Sequence, residues 1–216
     1  MDKERILKAC DHTILGVDAT WEDVKQVLDD GMKYGVASVC ISLAWVARAR
    51  VYAENLPITT VIGFPSGCTT TASKVFETKD AIAKGADEID MVIHVGALKD
   101  GRDQDVLDEI NAVKEACGDH ILKVIVETCL LTEEEKVRVT KIVSKSKADY
   151  IKTSTGFSTG GATFEDVKLF ADNVSNGTLI KAAGGISSLE DGEKFLELGA
   201  SRLGTSRIVK AVKAEE

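Results

Sequence analysis

The 216-residue sequence predicts an α/β fold: a closed barrel of eight parallel strands, each followed by a helix, with a short N-terminal helix ahead of the first. Short Val- and Ile-rich runs alternate with longer amphipathic ones along the whole chain. One helix-to-strand joint recurs, which means repeated βα units and hence parallel strands with helical crossovers. An open doubly wound sheet is the competing architecture, but the GxGxxG turn of its dinucleotide-binding form is absent. The length suits one domain, residues 1–216, at the compact end of the (β/α)8 or TIM barrel.

The elements follow in order. Asp11–Ile14 is a weak first strand, and Trp21–Tyr34 is the helix after it. Gly35-Val36-Ala37-Ser38 turns the chain into the strand Val36–Ser42, and Ala44–Asn55 is helical. Ile58–Gly63 is the third strand, and Ser73–Lys84 the helix that crosses back. Gly85-Ala86-Asp87-Glu88 opens the strand Glu88–His94; Gly tolerates the left-handed position that ends a helix, and Ala lets the chain turn tightly. In Asp103–Cys117, Val106, Ile110, Val113 and Ala116 recur at three- and four-residue steps, as one buried helix stripe requires. Ile121–Glu127 is the fifth strand, and Thr132 before Glu133-Glu134-Glu135 starts the helix Glu133–Lys145 with a capping box. Lys147-Ala148-Asp149-Tyr150 repeats the joint before Tyr150–Ser154, which the helix Phe164–Val174 follows. Leu179–Ala183, the helix Leu189–Leu198, the joint Gly199-Ala200-Ser201-Arg202, the strand Ser201–Gly204 and the helix Ser206–Lys213 complete the pattern.

Composition bounds the function. Acidic residues outnumber basic ones 35 to 27 for a net charge of −8, which argues against nucleic acid or an anionic membrane as partner. Five cysteines without CxxC spacing read as reduced thiols, so the expected location is the cytoplasm. No secretory leader is visible at the start, and no run approaches the roughly 18 apolar residues of a membrane span. His12, His94 and His120 lack metal-ligand spacing, so no metal is expected.

Charged residues inside the strands of a helix-covered parallel sheet are out of place, because both faces are normally buried. Asp90, Lys123, Glu127, Lys152 and Lys181 all stand inside strand-like runs, with Lys123 and Glu127 on one face of theirs. In a barrel they converge on the interior. A lysine attacks a carbonyl only as the neutral amine, and burial beside a second cation depresses its pKa from about 10.4. Two lysines with a carboxylate for proton transfer therefore point to Schiff-base chemistry, with a structural ion network as the alternative. Residue types do not rank Lys152 over Lys181. Gly184-Gly185 after the seventh strand and Gly204-Thr205-Ser206-Arg207 after the eighth precede helix starts, where backbone N–H groups favour an anion. Thr153-Ser154-Thr155-Gly156 adds donors, Asp11-His12-Thr13 suits the mouth, and residues 157–162 read as a mobile rim loop.

These residues resemble the signatures of the deoxyribose-phosphate aldolase family. Asp11-His12-Thr13, Glu88-Ile89-Asp90-Met91-Val92, Lys123-Val124-Ile125-Val126-Glu127-Thr128, Tyr150-Ile151-Lys152-Thr153-Ser154-Thr155-Gly156 and Lys181-Ala182-Ala183-Gly184-Gly185-Ile186 occur in the family's order. The resemblance implies a metal-free class I aldolase, without cofactor, that reversibly cleaves 2-deoxy-D-ribose 5-phosphate to acetaldehyde and D-glyceraldehyde 3-phosphate. It makes Lys152 the Schiff-base lysine, Asp90 and Lys181 the proton-transfer groups, and Lys123 and Glu127 a supporting charged network. It places the phosphate at Gly156, Gly184, Gly185, Gly204 and Ser206, beside Asp11 and Thr155 as the further substrate-binding candidates, in a homo-oligomer of two or more chains. Two departures stand out: Phe157 replaces a lysine of some members, and the chain ends Lys213-Ala214-Glu215-Glu216 where some carry a tail ending in tyrosine. Another sugar-phosphate aldolase of this fold, or a non-catalytic sugar-phosphate-binding barrel, is the competing function.

Overall fold

The computed structural model describes residues 2–216. Eight parallel strands close in chain order: β1 (Cys10–Ile14), β2 (Ser38–Ile41), β3 (Ile58–Ile62), β4 (Glu88–Val92), β5 (Ile121–Ile125), β6 (Tyr150–Lys152), β7 (Leu179–Ala183) and β8 (Arg202–Thr205), which pairs with β1. The helices are α1 (Lys3–Lys8), α2 (Trp21–Tyr34), α3 (Leu43–Tyr52), α4 (Thr71–Ala83), α5 (Val95–Lys99), α6 (Asp103–Cys117), α7 (Glu133–Lys145), α8 (Phe164–Asn173), α9 (Leu189–Glu197) and α10 (Ile208–Lys213). Most expected elements are present within a few residues of their sequence bounds.

Local chemistry sets the ends. Thr20 with Asp23, Thr132 with Glu135 and Ser188 with Asp191 form reciprocal capping boxes at α2, α7 and α9. Strand β4 stops at Val92, short of the expected His94, because the His94 imidazole instead caps α5 by accepting from the Ala97 N–H at 2.9 Å. Strand β5 likewise stops before Glu127, whose φ of 56° takes the chain out of extended backbone and into a short 3-10 turn, Thr128–Leu130.

The aliphatic core forms a ring between barrel and helices. Outward residues such as Ile41, Met91, Leu122, Val124, Ile151 and Leu203 pack there with Val24, Leu28, Ile110, Val139 and Phe170 from the helices. The inward side chains stack in layers contributed by alternate strands, as closure of eight tilted strands requires. Ser38, Glu88, Tyr150 and Arg202 form the bottom layer, Asp11, Thr59, Lys123 and Lys181 the middle, and Cys40, Asp90, Lys152 and Gly204 the top. Such layers are usually aliphatic. Here seven of these twelve residues carry Asp, Glu, Lys or Arg side chains, so the barrel interior is the polar compartment of the molecule.

Candidate active site

Strand pairing sets Asp90 beside Lys123 and Lys152 beside Lys181, which puts five of the seven interior charges on four adjacent strands, β4 to β7, with Asp11 on β1 and Arg202 on β8. One carboxylate oxygen, Asp90 Oδ2, accepts from Lys152 Nζ at 2.8 Å and from Lys181 Nζ at 2.7 Å. Its other oxygen accepts from Lys123 Nζ at 2.9 Å. Lys181 also donates to Asp11 Oδ2, whose Oδ1 accepts from Ser38 Oγ at 2.8 Å and Arg202 Nη1 at 2.6 Å. Lys123 further pairs with Glu88 at 2.6 Å. Lys123, Lys181, Asp11 and Asp90 have no solvent exposure, and Lys152 has 3%.

Burial penalises every one of these charges, and the neighbours decide the outcome. For Lys152, desolvation and the charge on Lys181 outweigh the pull of Asp90, and its pKa is lowered. Lys181 is equally desolvated, but Asp11 and Asp90 both hold its proton and its pKa is raised. Lys123 is raised as well, chiefly by Asp90 against its burial. The lysines around Asp90 overcome its desolvation and hold it well below the usual carboxylate range. Among these lysines, only Lys152 has its pKa lowered.

Lys152 reaches a cavity of about 260 Å³ at the C-terminal ends of the strands, walled by Thr155, Gly156, Phe157, Gly184, Gly185, Gly204, Ser206 and Arg207. Gly184 and Gly185 sit at φ 78° and 77°, left-handed backbone that favours glycine. Gly204 lets Lys181 pass, since a Cβ there would lie 3.1 Å from Lys181 Cε. Arg207 lines the same cavity, and among the described residues its side chain forms no ion pair. No group of three or more His, Cys, Asp or Glu side chains with an arrangement for a metal ion occurs among the described residues.

The structure thus brings Lys152, Thr155, Gly156, Gly184, Gly185, Gly204 and Ser206 to one cavity, with Lys181 and Asp90 directly behind the lysine. Three expectations change. Asp11 does not line the cavity: it lies in the layer beneath, fully enclosed by Lys181, Ser38 and Arg202. Glu127 does not share a network with Lys123; beyond the end of β5 its carboxylate accepts from the Thr155 N–H at 3.2 Å and from the Thr155 hydroxyl, and so shapes the loop after β6. The start of α9 is no open anion site, because Asp191 takes the Ser187 and Ser188 N–H groups at 3.0 and 3.2 Å. The end of the 157–162 rim loop is tied down, with the Ala162 N–H bonded to the Ala183 and Gly184 carbonyls at 3.0 Å. Sequence reasoning gave no role to the side chains of Arg207, Glu88 and Arg202. An arginine directly after Gly204-Thr205-Ser206 was the available signal for the first.

The family model for DeoC/LacD family aldolases matches residues 5–204. A deoxyribose-phosphate aldolase of Streptococcus agalactiae is 58% identical, over 100% of this chain and 97% of its own. One from Streptococcus pyogenes serotype M4 is also 58% identical, with the same coverage. The solved tetrameric deoxyribose phosphate aldolase of Aeropyrum pernix superposes with a TM-score of 0.90 at 28% identity, over 99% of this chain and 92% of that one.

Proposed function

The chain belongs to the DeoC/LacD aldolase family, and from that premise we propose that it works as a deoxyribose-phosphate aldolase with Lys152 as the imine-forming amine. The observation that carries the assignment is the interior charge count. Four cations (Lys123, Lys152, Lys181 and Arg202) face three carboxylates (Asp11, Glu88 and Asp90), so one neutral amine balances the compartment. Lys152 is the one that reaches the cavity, and its pKa is lowered.

Neutral Lys152 attacks C1 of the open-chain sugar aldehyde, and the carbinolamine loses water to give an iminium. That cation draws the electrons of the C2–C3 bond as the C3 hydroxyl gives up its proton. The bond breaks to an enamine and D-glyceraldehyde 3-phosphate. Protonation of the enamine at C2 and attack by water then release acetaldehyde and restore the amine. Asp90, which accepts from both Lys152 and Lys181, and Lys181 itself are the groups through which protons pass. The phosphate lies against the backbone of Gly184, Gly185 and Gly204, the Ser206 and Thr155 side chains, Gly156 and the Arg207 guanidinium. No group beyond the lysine amine is needed to hold the electrons.

Borohydride reduction in the presence of acetaldehyde tests this reading. The expected result is an adduct on Lys152 by peptide mass mapping; an adduct on Lys181, or none, overturns it. Lys152→Arg should abolish turnover, because an always-charged guanidinium forms no imine. Acetaldehyde should serve as aldol donor where dihydroxyacetone phosphate does not. The unpaired cysteines agree with a reducing cytoplasm, and kinship with a tetramer supports assembly with copies of itself, measurable by light scattering.

A further inference from the structure

At the closed end of the barrel, Arg202 does something that neither the imine nor the phosphate explains. It starts on β8 and crosses the interior to the opposite strand, β4, where its two terminal nitrogens grip both oxygens of Glu88 at 3.0 Å. The same Nη1 holds Asp11 Oδ1 at 2.6 Å, and Asp11 presents its second oxygen to Lys181. Glu88 in turn accepts from Thr59 at 2.9 Å and pairs with Lys123 at 2.6 Å. Every interior carboxylate is thereby tied, directly or through a lysine, to one guanidinium that cannot lose its charge.

We infer that Arg202 is a positioning residue for the aldol reaction: from the floor of the barrel it holds Asp11 and Glu88, and through them it fixes which lysine at the mouth keeps its proton. The groups facing Lys152 are Asp90 on β4, Lys181 on β7 and Cys40 on β2. Beneath them lie Asp11 on β1, Lys123 on β5, Glu88 on β4 and Arg202 itself. With Arg202 in place Asp11 and Glu88 are largely satisfied, and their residual pull on the ammonium groups around them is small. Without it they carry one more uncompensated negative charge, which favours the ammonium form of every lysine above, Lys152 included. Removing the Glu88 charge acts in the opposite sense. The inference rests on Lys152 being the imine lysine.

The test measures the pH midpoint for borohydride trapping of acetaldehyde on Lys152 in wild type, Arg202→Gln, Glu88→Gln and the double variant, with circular dichroism to verify folding. Arg202→Gln should move the midpoint up, and Glu88→Gln down, each by about one pH unit, the lower end of what a nearby charge does to a buried group. The double variant should return close to wild type. Single-variant midpoints that stay in place, or that move in the same direction, overturn the positioning role, because a purely structural part lowers yield without opposite shifts. Should Arg202→Gln fail to fold, Arg202→Lys keeps the charge and is expected near the wild-type midpoint, while Glu88→Gln still supplies the downward shift; a stationary Glu88→Gln midpoint then overturns the role. A wild-type adduct anywhere but Lys152 removes the imine assignment instead, so the two failures are distinguishable.

Discussion

Asp90 Oδ2 accepts from both lysines of the site, so the difference between those lysines comes from what else each one touches. Lys181 has Asp11 as a second anion; Lys152 has only the cavity beside it. Arg207 is the other charged side chain on the cavity wall, so the proposed phosphate contact is tested there. Arg207→Ala should raise KM for 2-deoxy-D-ribose 5-phosphate by roughly 10- to 100-fold, the worth of one charge-assisted hydrogen bond. Steady-state kinetics should show kcat within a few-fold of wild type and no comparable change for unphosphorylated deoxyribose. Equal losses on both sugars would move the anion elsewhere. Gly185→Asp is expected to go the same way, because it adds a negative charge and strains a backbone held at φ 77°.

Loops and caps form a second scale, where shape matters more than charge. The loop after β6 takes its form from Glu127 on the neighbouring strand's exit, through Thr155, whose hydroxyl then accepts from the Phe157 N–H at 3.0 Å. A cap off the cavity wall gives a contrast: Thr132→Ala removes the side-chain acceptor for the Glu135 N–H and should cost about 1 kcal/mol. Thermal melts should record a Tm lower by roughly 2–4 °C for a chain of this size, with KM and kcat unchanged. The strands and long helices were legible in the sequence because apolar period and joint residues agree along the chain. Lys123, Lys152, Lys181 and Asp90 were legible because charge interrupts a Val- and Ile-rich run. Glu88 and Arg202 were not, although the expected strands Glu88–His94 and Ser201–Gly204 include them: each is also the last residue of a joint, Gly85-Ala86-Asp87-Glu88 or Gly199-Ala200-Ser201-Arg202, where a charge reads as reaching out to solvent. Yet those positions begin strands, and in a closed barrel the first inward residue of an even strand lies at the floor. Helix α5 escaped notice because its five residues carry no full hydrophobic period and its cap is a histidine that looked like the end of a strand.

For the molecule as a whole, the interior charges tie stability to pH. Asp11 and Asp90 have folded pKa values below the ordinary carboxylate range, held there by lysines and Arg202 against their burial. Their contribution to stability is present above the unfolded value of about 3.9 and is lost as pH falls toward the folded one. Lys181 and Lys123 are raised, so their contribution is present below about 10.4 and is lost as pH climbs through the folded values. Lys152 has the opposite sign: its lowered pKa means that folding opposes its proton, and stability is reduced at pH values below its folded pKa. Melting curves should accordingly fall below about pH 4 and climb with pH between the folded pKa of Lys152 and about 10.4, a climb that Lys152→Met should lack. Lys152→Met, which removes the excess cation, should abolish activity yet hold or raise Tm by a few degrees at neutral pH, about 1 kcal/mol. A Tm lowered by many degrees would show that the lysine supports the fold. Because cohesion resides in the outer aliphatic ring and reactivity in the polar bore it surrounds, the two can diverge independently. A lineage under selection for a different aldehyde is expected to rewrite inward positions at the mouth first and to keep its heat tolerance while its chemistry drifts.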